Sequence, residues 1–165
     1  MKKNKSLLKI IACCIVILAI AVAAIFLIAN LQKGNEGDGN TNPITSFRYE
    51  YGSYFGGYYD YQIENDDGKN ILTASGANGV KLDIQAELSK KELQELSRII
   101  NENNIQEWNN FDGKNNDIMD GYSFHLKVSY KDGTTINADG YESYPNNYKA
   151  GHKALETFLS SIGQK

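Results

Sequence analysis

Apolar positions recur along this chain at three different periods, and each period predicts a different element. From Ile10 to Ala29 twenty consecutive residues are apolar. A helix of that length rises about 30 Å, the thickness of a hydrocarbon core. Residues 7–29 are therefore predicted to be a transmembrane signal-anchor helix, with Lys9 close enough to one end to snorkel. A period of two follows further on. Phe47, Tyr49 and Tyr51 alternate with polar residues, as do Tyr59, Tyr61 and Ile63, then Val80, Leu82, Ile84 and Ala86, then Phe124, Leu126, Val128 and Tyr130. Each run predicts a strand with one buried face. Ile71–Ser75 and Thr134–Ala138 read as return strands after Asp66–Lys69 and Lys131–Gly133, and Asn78-Gly79 is a strong hairpin signal.

The third period is helical. Ser89-Lys90-Lys91-Glu92 is a capping box, in which hydroxyl and carboxylate satisfy orphan amides reciprocally. Leu93, Leu96, Ile99 and Ile100 then form one apolar stripe, which Asn103-Asn104 ends. A second helix is predicted to start near Pro145–Asn147, with Tyr148, Leu155, Phe158, Leu159 and Ile162 facing inward. The predicted order ββββ-α-ββ-α is that of an α+β domain, a largely antiparallel sheet with two helices packed on one face.

Residues 30–46 break all of these patterns. Gly34–Ser46 carries one aliphatic residue among glycine, asparagine and acidic positions, too little apolar surface to offset ordering, and reads as a flexible linker. Four segments result: a basic N-terminus (1–6), the anchor (7–29), the linker (30–46) and a folded domain (47–165).

Charge divides along the same boundary. Residues 1–33 hold five of the 17 basic residues and none of the 20 acidic ones, which leaves the remainder a formal −8. Four of those five lysines precede or open the apolar run, so the positive-inside bias places the N-terminus in the cytoplasm and the C-terminal domain outside the cell membrane. The lipid bilayer is the expected partner of residues 7–29. A −8 domain lacks the basic surface that displaces counterions from nucleic acid, and no nucleic-acid partner is expected. Two other readings of the N-terminus stay open. A cleaved signal would have a shorter core and a small-residue cleavage site outside the run; a lipoprotein would acylate Cys13, but most of the apolar run lies downstream of it. Cys13 and Cys14 are the only cysteines, so the exterior relies on no disulfide. Lysine far exceeds arginine, and asparagine and isoleucine are abundant, a usage that points to an AT-rich genome such as that of a low-GC Gram-positive bacterium.

Candidate chemistry is sparse. His125 shares a polar strand face with Ser123, but side chains two apart on a strand point in parallel rather than at each other. His152 falls one turn after Tyr148 on the last helix. The stretch Asp112–Gly121 is rich in oxygen ligands but fits no EF-hand register, and a solvated loop with Asx turns competes with a looser calcium site. No catalytic residue, metal ligand or cofactor is assigned. The unusual feature is tyrosine: six of the eleven fall between Tyr49 and Tyr61. Tyrosine pairs a flat apolar face with a polar tip and suits recognition, although it is also a good strand filler. Tyr54, Tyr58, Trp108, Tyr141 and Tyr144 are the candidate recognition surface, and for Trp108 the competing reading is that with Phe111 it plugs the gap between helix and sheet.

From Trp108 onward the chain carries Trp108, Phe111, Asp120-Gly121, Phe124, Asp132-Gly133, Ala138, Gly140-Tyr141, Pro145 and Tyr148. In this pattern it resembles a segment of uncharacterised membrane-anchored or lipoprotein-like proteins of low-GC Gram-positive bacteria, over about a third of its length. The resemblance implies a recurring domain and no nameable activity. The expectation is thus a single-pass, non-enzymatic module that recognises an envelope protein. A cell-wall glycan is the alternative ligand, and a small hydrolase is the least favoured reading.

Overall fold

The computed structural model describes residues 42–162. The basic N-terminus, the anchor and most of the linker lie outside the described residues, and among those described no helix is long and apolar enough to cross a membrane. The chain runs β1 (Ile44–Ser53), β2 (Gly57–Asp66), β3 (Lys69–Ala77), β4 (Asp83–Leu88), α1 (Lys90–Glu102), a 3-10 turn (Ile105–Trp108), β5 (Phe111–Lys114), β6 (Ser123–Tyr130), β7 (Thr135–Tyr141) and α2 (Tyr148–Ile162). All seven strands join one sheet in the order β4-β3-β2-β1-β6-β7-β5. Every neighbouring pair is antiparallel except β5 with β7. The fold is α+β, a mostly antiparallel seven-stranded sheet with two helices.

β1 is central because both of its edges find long alternating partners. Phe47 lies opposite Ile63 on β2 and Val128 on β6; Tyr49 lies opposite Tyr61 and Leu126. These side chains and Tyr51, Leu72, Ala74, Phe124, Ile136 and Ala138 form one buried core with Leu96, Ile99 and Ile100 of α1 and Leu155, Leu159 and Ile162 of α2. The residues in between, Arg48, Glu50, Gln62, Thr73 and Lys127 among them, stay wet. Half-solvated antiparallel sheets show this alternation.

The local signals act as their chemistry predicts. At the β2–β3 turn Asp67 and Gly68 both take positive φ (47° and 81°), the backbone a two-residue hairpin of matching twist requires. The capping box forms: the Ser89 amide donates to Glu92 Oε2 at 2.7 Å, and the Glu92 amide donates to Ser89 Oγ at 3.3 Å.

Four expectations shift. The linker stops short of residue 46, because Ile44 is buried and pairs with Tyr130 while the Pro43 carbonyl accepts from the Lys131 amide at 2.9 Å. The strand expected from Val80 begins at Asp83: Val80 turns in against Gly57 and Gly76, where a Cβ on either glycine would overlap its side chain. The second helix starts at Tyr148, and Pro145 lies in the turn before it, its carbonyl accepting the Tyr148 amide. Finally, part of the Asp112–Gly121 loop is strand β5. Its parallel pairing with β7 is held by hydrogen bonds from the Asn110 amide to the Asn137 carbonyl and from the Asn115 amide to the Tyr141 carbonyl, each 2.8 Å.

Candidate functional site

Residues directly opposite each other on neighbouring strands share a face. Following one row across the uncovered face gives Asp83 (β4), Ser75 (β3), Asp60 (β2), Glu50 (β1), His125 (β6), Asp139 (β7) and Asp112 (β5). Five of the seven are carboxylates. Arg48, in the adjacent row, neutralises part of this charge. Its Nε and Nη2 reach the two Asp60 oxygens at 3.1 and 3.0 Å, and Nη2 also meets Glu50 Oε2 at 3.0 Å. That bidentate geometry raises the Arg48 pKa above its ordinary value, the Asp60 hydrogen bond being the main cause.

Beyond Glu50 the row dips into a depression of about 270 Å³ lined by Glu50, Asp112, Lys114, Ser123, His125 and Asp139. His125 Nδ1 lies 2.8 Å from Asp139 Oδ1. The carboxylate orients the imidazole as it does in acid–base dyads. A nucleophile is what the arrangement does not deliver: the Ser123 hydroxyl turns to the Gly52 carbonyl at 3.4 Å. Among the described residues no three His, Cys, Asp or Glu side chains converge to hold a metal ion. Within the former calcium candidate the Asp117 amide donates to Asn115 Oδ1, an Asx turn.

His152 has the opposite setting. It lies under the sheet, against Tyr49, Tyr51, Tyr122 and Tyr148, with the Tyr148 ring stacked on it at 5.5 Å and the Tyr51 ring meeting it edge-on at 4.8 Å. Tyr49 Oη is 2.7 Å from Nδ1. Burial lowers the His152 pKa below the ordinary 6.5; Glu156 opposes that shift and Lys153 adds to it. The Tyr49 hydroxyl and the neutral imidazole share one hydrogen bond, and the same hydroxyl lies 3.4 Å from Tyr148 Oη. Burial likewise raises the Tyr49, Tyr51, Tyr122 and Tyr148 phenols, so these hydroxyls stay protonated. The arrangement is a polar bolt between β1 and α2. Its signal in the sequence was the helical spacing of Tyr148 and His152, which does not identify Tyr49 as the partner.

The five candidate recognition residues do not form one patch. Trp108 is no part of any surface. It is completely buried, its ring against Phe124, Tyr148 and Gly151 and its indole N–H donating to the Asn146 carbonyl at 3.1 Å. Helix α2 closes over it, so Trp108 plugs the gap between helix and sheet rather than lining a surface. Tyr141 is half-buried, and its hydroxyl accepts from the Gly121 amide and donates to the Met119 carbonyl, tying down the loop before β6. Tyr58 is half-buried on the open face. Tyr144 lies on the helix side, stacked on Tyr148 and Phe124. Tyr54 is free, 65% exposed at the β1–β2 tip beside Phe55.

What Tyr54, Tyr58, Tyr141 and Tyr144 share is an end of the sheet. β1 and β7 finish where β6 begins: Gly52 lies opposite Ser123, and Ser123 opposite Tyr141. The β1–β2 tip, the loop before β6 and the segment after β7 all emerge there. All five large hydrophobics that are exposed among the described residues belong to these connections: Tyr54, Phe55 (78%), Ile118, Met119 (90%) and Tyr144. The sequence reading missed Phe55, Ile118 and Met119, whose only signal was apolar character inside otherwise polar loops. The chain joins the domain at the opposite end, where Pro43 and Ile44 meet Lys131 and Tyr130. The ten-residue strand β1 separates the two ends by about 30 Å.

No protein-family model matches the chain, and no curated protein is significantly similar to it.

Proposed function

We propose that this protein is a non-enzymatic recognition module held outside the cell membrane by a single N-terminal anchor, residues 7–29, with its N-terminus in the cytoplasm. It meets an envelope protein through the sheet end carrying Tyr54, Phe55, Ile118, Met119 and Tyr144. One observation carries the reading: the exposed large apolar side chains gather at the end farthest from where the chain joins the domain. Solvent-facing apolar side chains grouped in this way mark contact sites, and a tether leaving the other end leaves this one free to reach outward. A protein partner is favoured over a glycan because the Tyr54 and Phe55 rings stand edge to face at 88°. Sugar stacking needs a flat ring platform, whereas a hydrophobic pocket on a protein accepts a knob of this shape.

A photocrosslinking side chain in place of Phe55, in intact cells, tests this directly. It should yield one discrete adduct that disappears in Tyr54→Ala/Met119→Ala, while the same probe at Glu64 at the other end should yield none. Equal labelling from both ends, or from neither, defeats the proposal. Retention of the protein on purified cell wall, competed by soluble oligosaccharide, would move the assignment to the glycan. Protease added to intact cells should remove the domain; survival until lysis would overturn the topology.

A further inference from the structure

Strand β4 is one of the sheet's two outermost strands and among the described residues pairs only with β3. The Gly76 amide donates to the Leu82 carbonyl at 3.0 Å. Hydrogen-bonded and non-hydrogen-bonded pairs alternate along an antiparallel ladder. With Ala74 opposite Ile84 and Leu72 opposite Ala86, the backbone groups of Ile84, Ala86 and Leu88 are spent on β3. Those of Asp83, Gln85 and Glu87 face the open edge. Natural edges are commonly blunted by proline, an inward charge or a bulge. Asp83–Leu88 is short and carries the charges of Asp83 and Glu87, but it has neither proline nor inward charge, and its register with β3 is continuous.

The side chains say what would fit. On the core side Leu82, Ile84 and Ala86 are only half-buried, whereas Leu72 and Ala74 of the neighbouring strand are buried. The apolar layer thus runs out to the edge uncovered. On the open face the same strand presents Asp83 and Glu87; Glu87 meets Lys69 at 3.0 Å, and Asp83 has no ion pair. A second copy is a poor occupant, because twofold pairing centred on Gln85 sets Asp83 against Glu87 of the other copy in both halves, and like charges directly opposite destabilise. The chain's own linker is poorer still, since Gly34–Thr41 is acidic and lacks any apolar residue.

We infer that β4 takes up an extended segment of a partner protein in which basic residues alternate with apolar ones. The partner's main chain completes the ladder at Asp83, Gln85 and Glu87. Its basic side chains lie beside the two carboxylates, and its apolar side chains cover Ile84 and Ala86. The inference is independent of the distal apolar cluster and fails or stands separately from it.

The probe is an end-blocked peptide of alternating lysine and valine, added to the full chain in nonionic detergent and read by amide hydrogen exchange and titration calorimetry. Protection should appear at Asp83, Gln85 and Glu87. Gln85→Pro removes one outward amide and no β3 bond and should weaken binding at least ~10-fold. Asp83→Lys should weaken it roughly fivefold and admit a glutamate–valine peptide that the native chain refuses. A lysine–valine peptide N-methylated on the side facing β4 should not bind the native chain, which keeps the test valid if Gln85→Pro disturbs folding. Protection elsewhere, or binding indifferent to N-methylation, overturns the inference. So does edge protection that grows with protein concentration alone, which would assign the edge to a second copy.

Discussion

Tyr49 carries a hydroxyl to a fully buried position on β1, where His152 Nδ1 is its nearest hydrogen-bond partner. Tyr49→Phe keeps the ring packing and leaves the buried imidazole nitrogen without that partner. Chemical denaturation should show a loss of about 1–2 kcal/mol. The same pair sets an acid sensitivity. Because burial lowers the His152 pKa below 6.5 in the folded state, the unfolded chain binds the proton first as pH falls. His152 should therefore cost nothing above pH 6.5 and progressively destabilise the fold below it, until the folded-state pKa is passed. Denaturation midpoints taken between pH 8 and pH 5 should fall on acidification, and His152→Gln should flatten that slope; an unchanged slope would remove His152 as its source. At Trp108 the reason is volume. Trp108→Ala should cost about 3–5 kcal/mol. Gly151→Ala should also destabilise, by about 1–3 kcal/mol, because its new Cβ would lie 2.6 Å from the indole ring. At this scale the sequence names chemistry but not company: Tyr49 and His152 stand 103 residues apart, and nothing local joins them.

Among the elements, those with a strong local period were readable. The meander β1–β4, the β6–β7 hairpin and the capped helix α1 each carry both pattern and punctuation within a few residues of chain. Ser89→Ala removes the hydroxyl half of the α1 cap and should lower stability by about 1 kcal/mol in urea denaturation. Ser89→Asp, which restores an acceptor, should recover most of that loss. Strand β5 was not readable. Its four residues, Phe111–Lys114, contain one large apolar side chain and an Asp-Gly pair, a composition that locally favours a turn. It becomes a strand only because β7 supplies a parallel partner whose carbonyls meet the Asn110 and Asn115 amides. α1 and the 3-10 turn connect the β4 edge of the sheet to the β5 edge.

For the whole molecule, the proposed recognition rests on the two ends of the sheet being unlike. Replacing Tyr54, Phe55 and Met119 together by serine should leave the thermal midpoint nearly unchanged, since exposed positions contribute within about ±0.5 kcal/mol each. The same change should abolish association with the partner. A parallel loss of stability and binding would show that these side chains pack rather than recognise. The sequence by itself determined the α+β class and which residues of most strands turn inward. Those features follow from periodicity and transfer free energy, which act over neighbouring residues. Only the tertiary structure decided that His125 meets Asp139 while His152 meets Tyr49, that β4 is left with an open edge, and that the exposed apolar loops share one end. Each of these depends on which strands become neighbours, and strand order is settled by contacts between residues far apart in the chain.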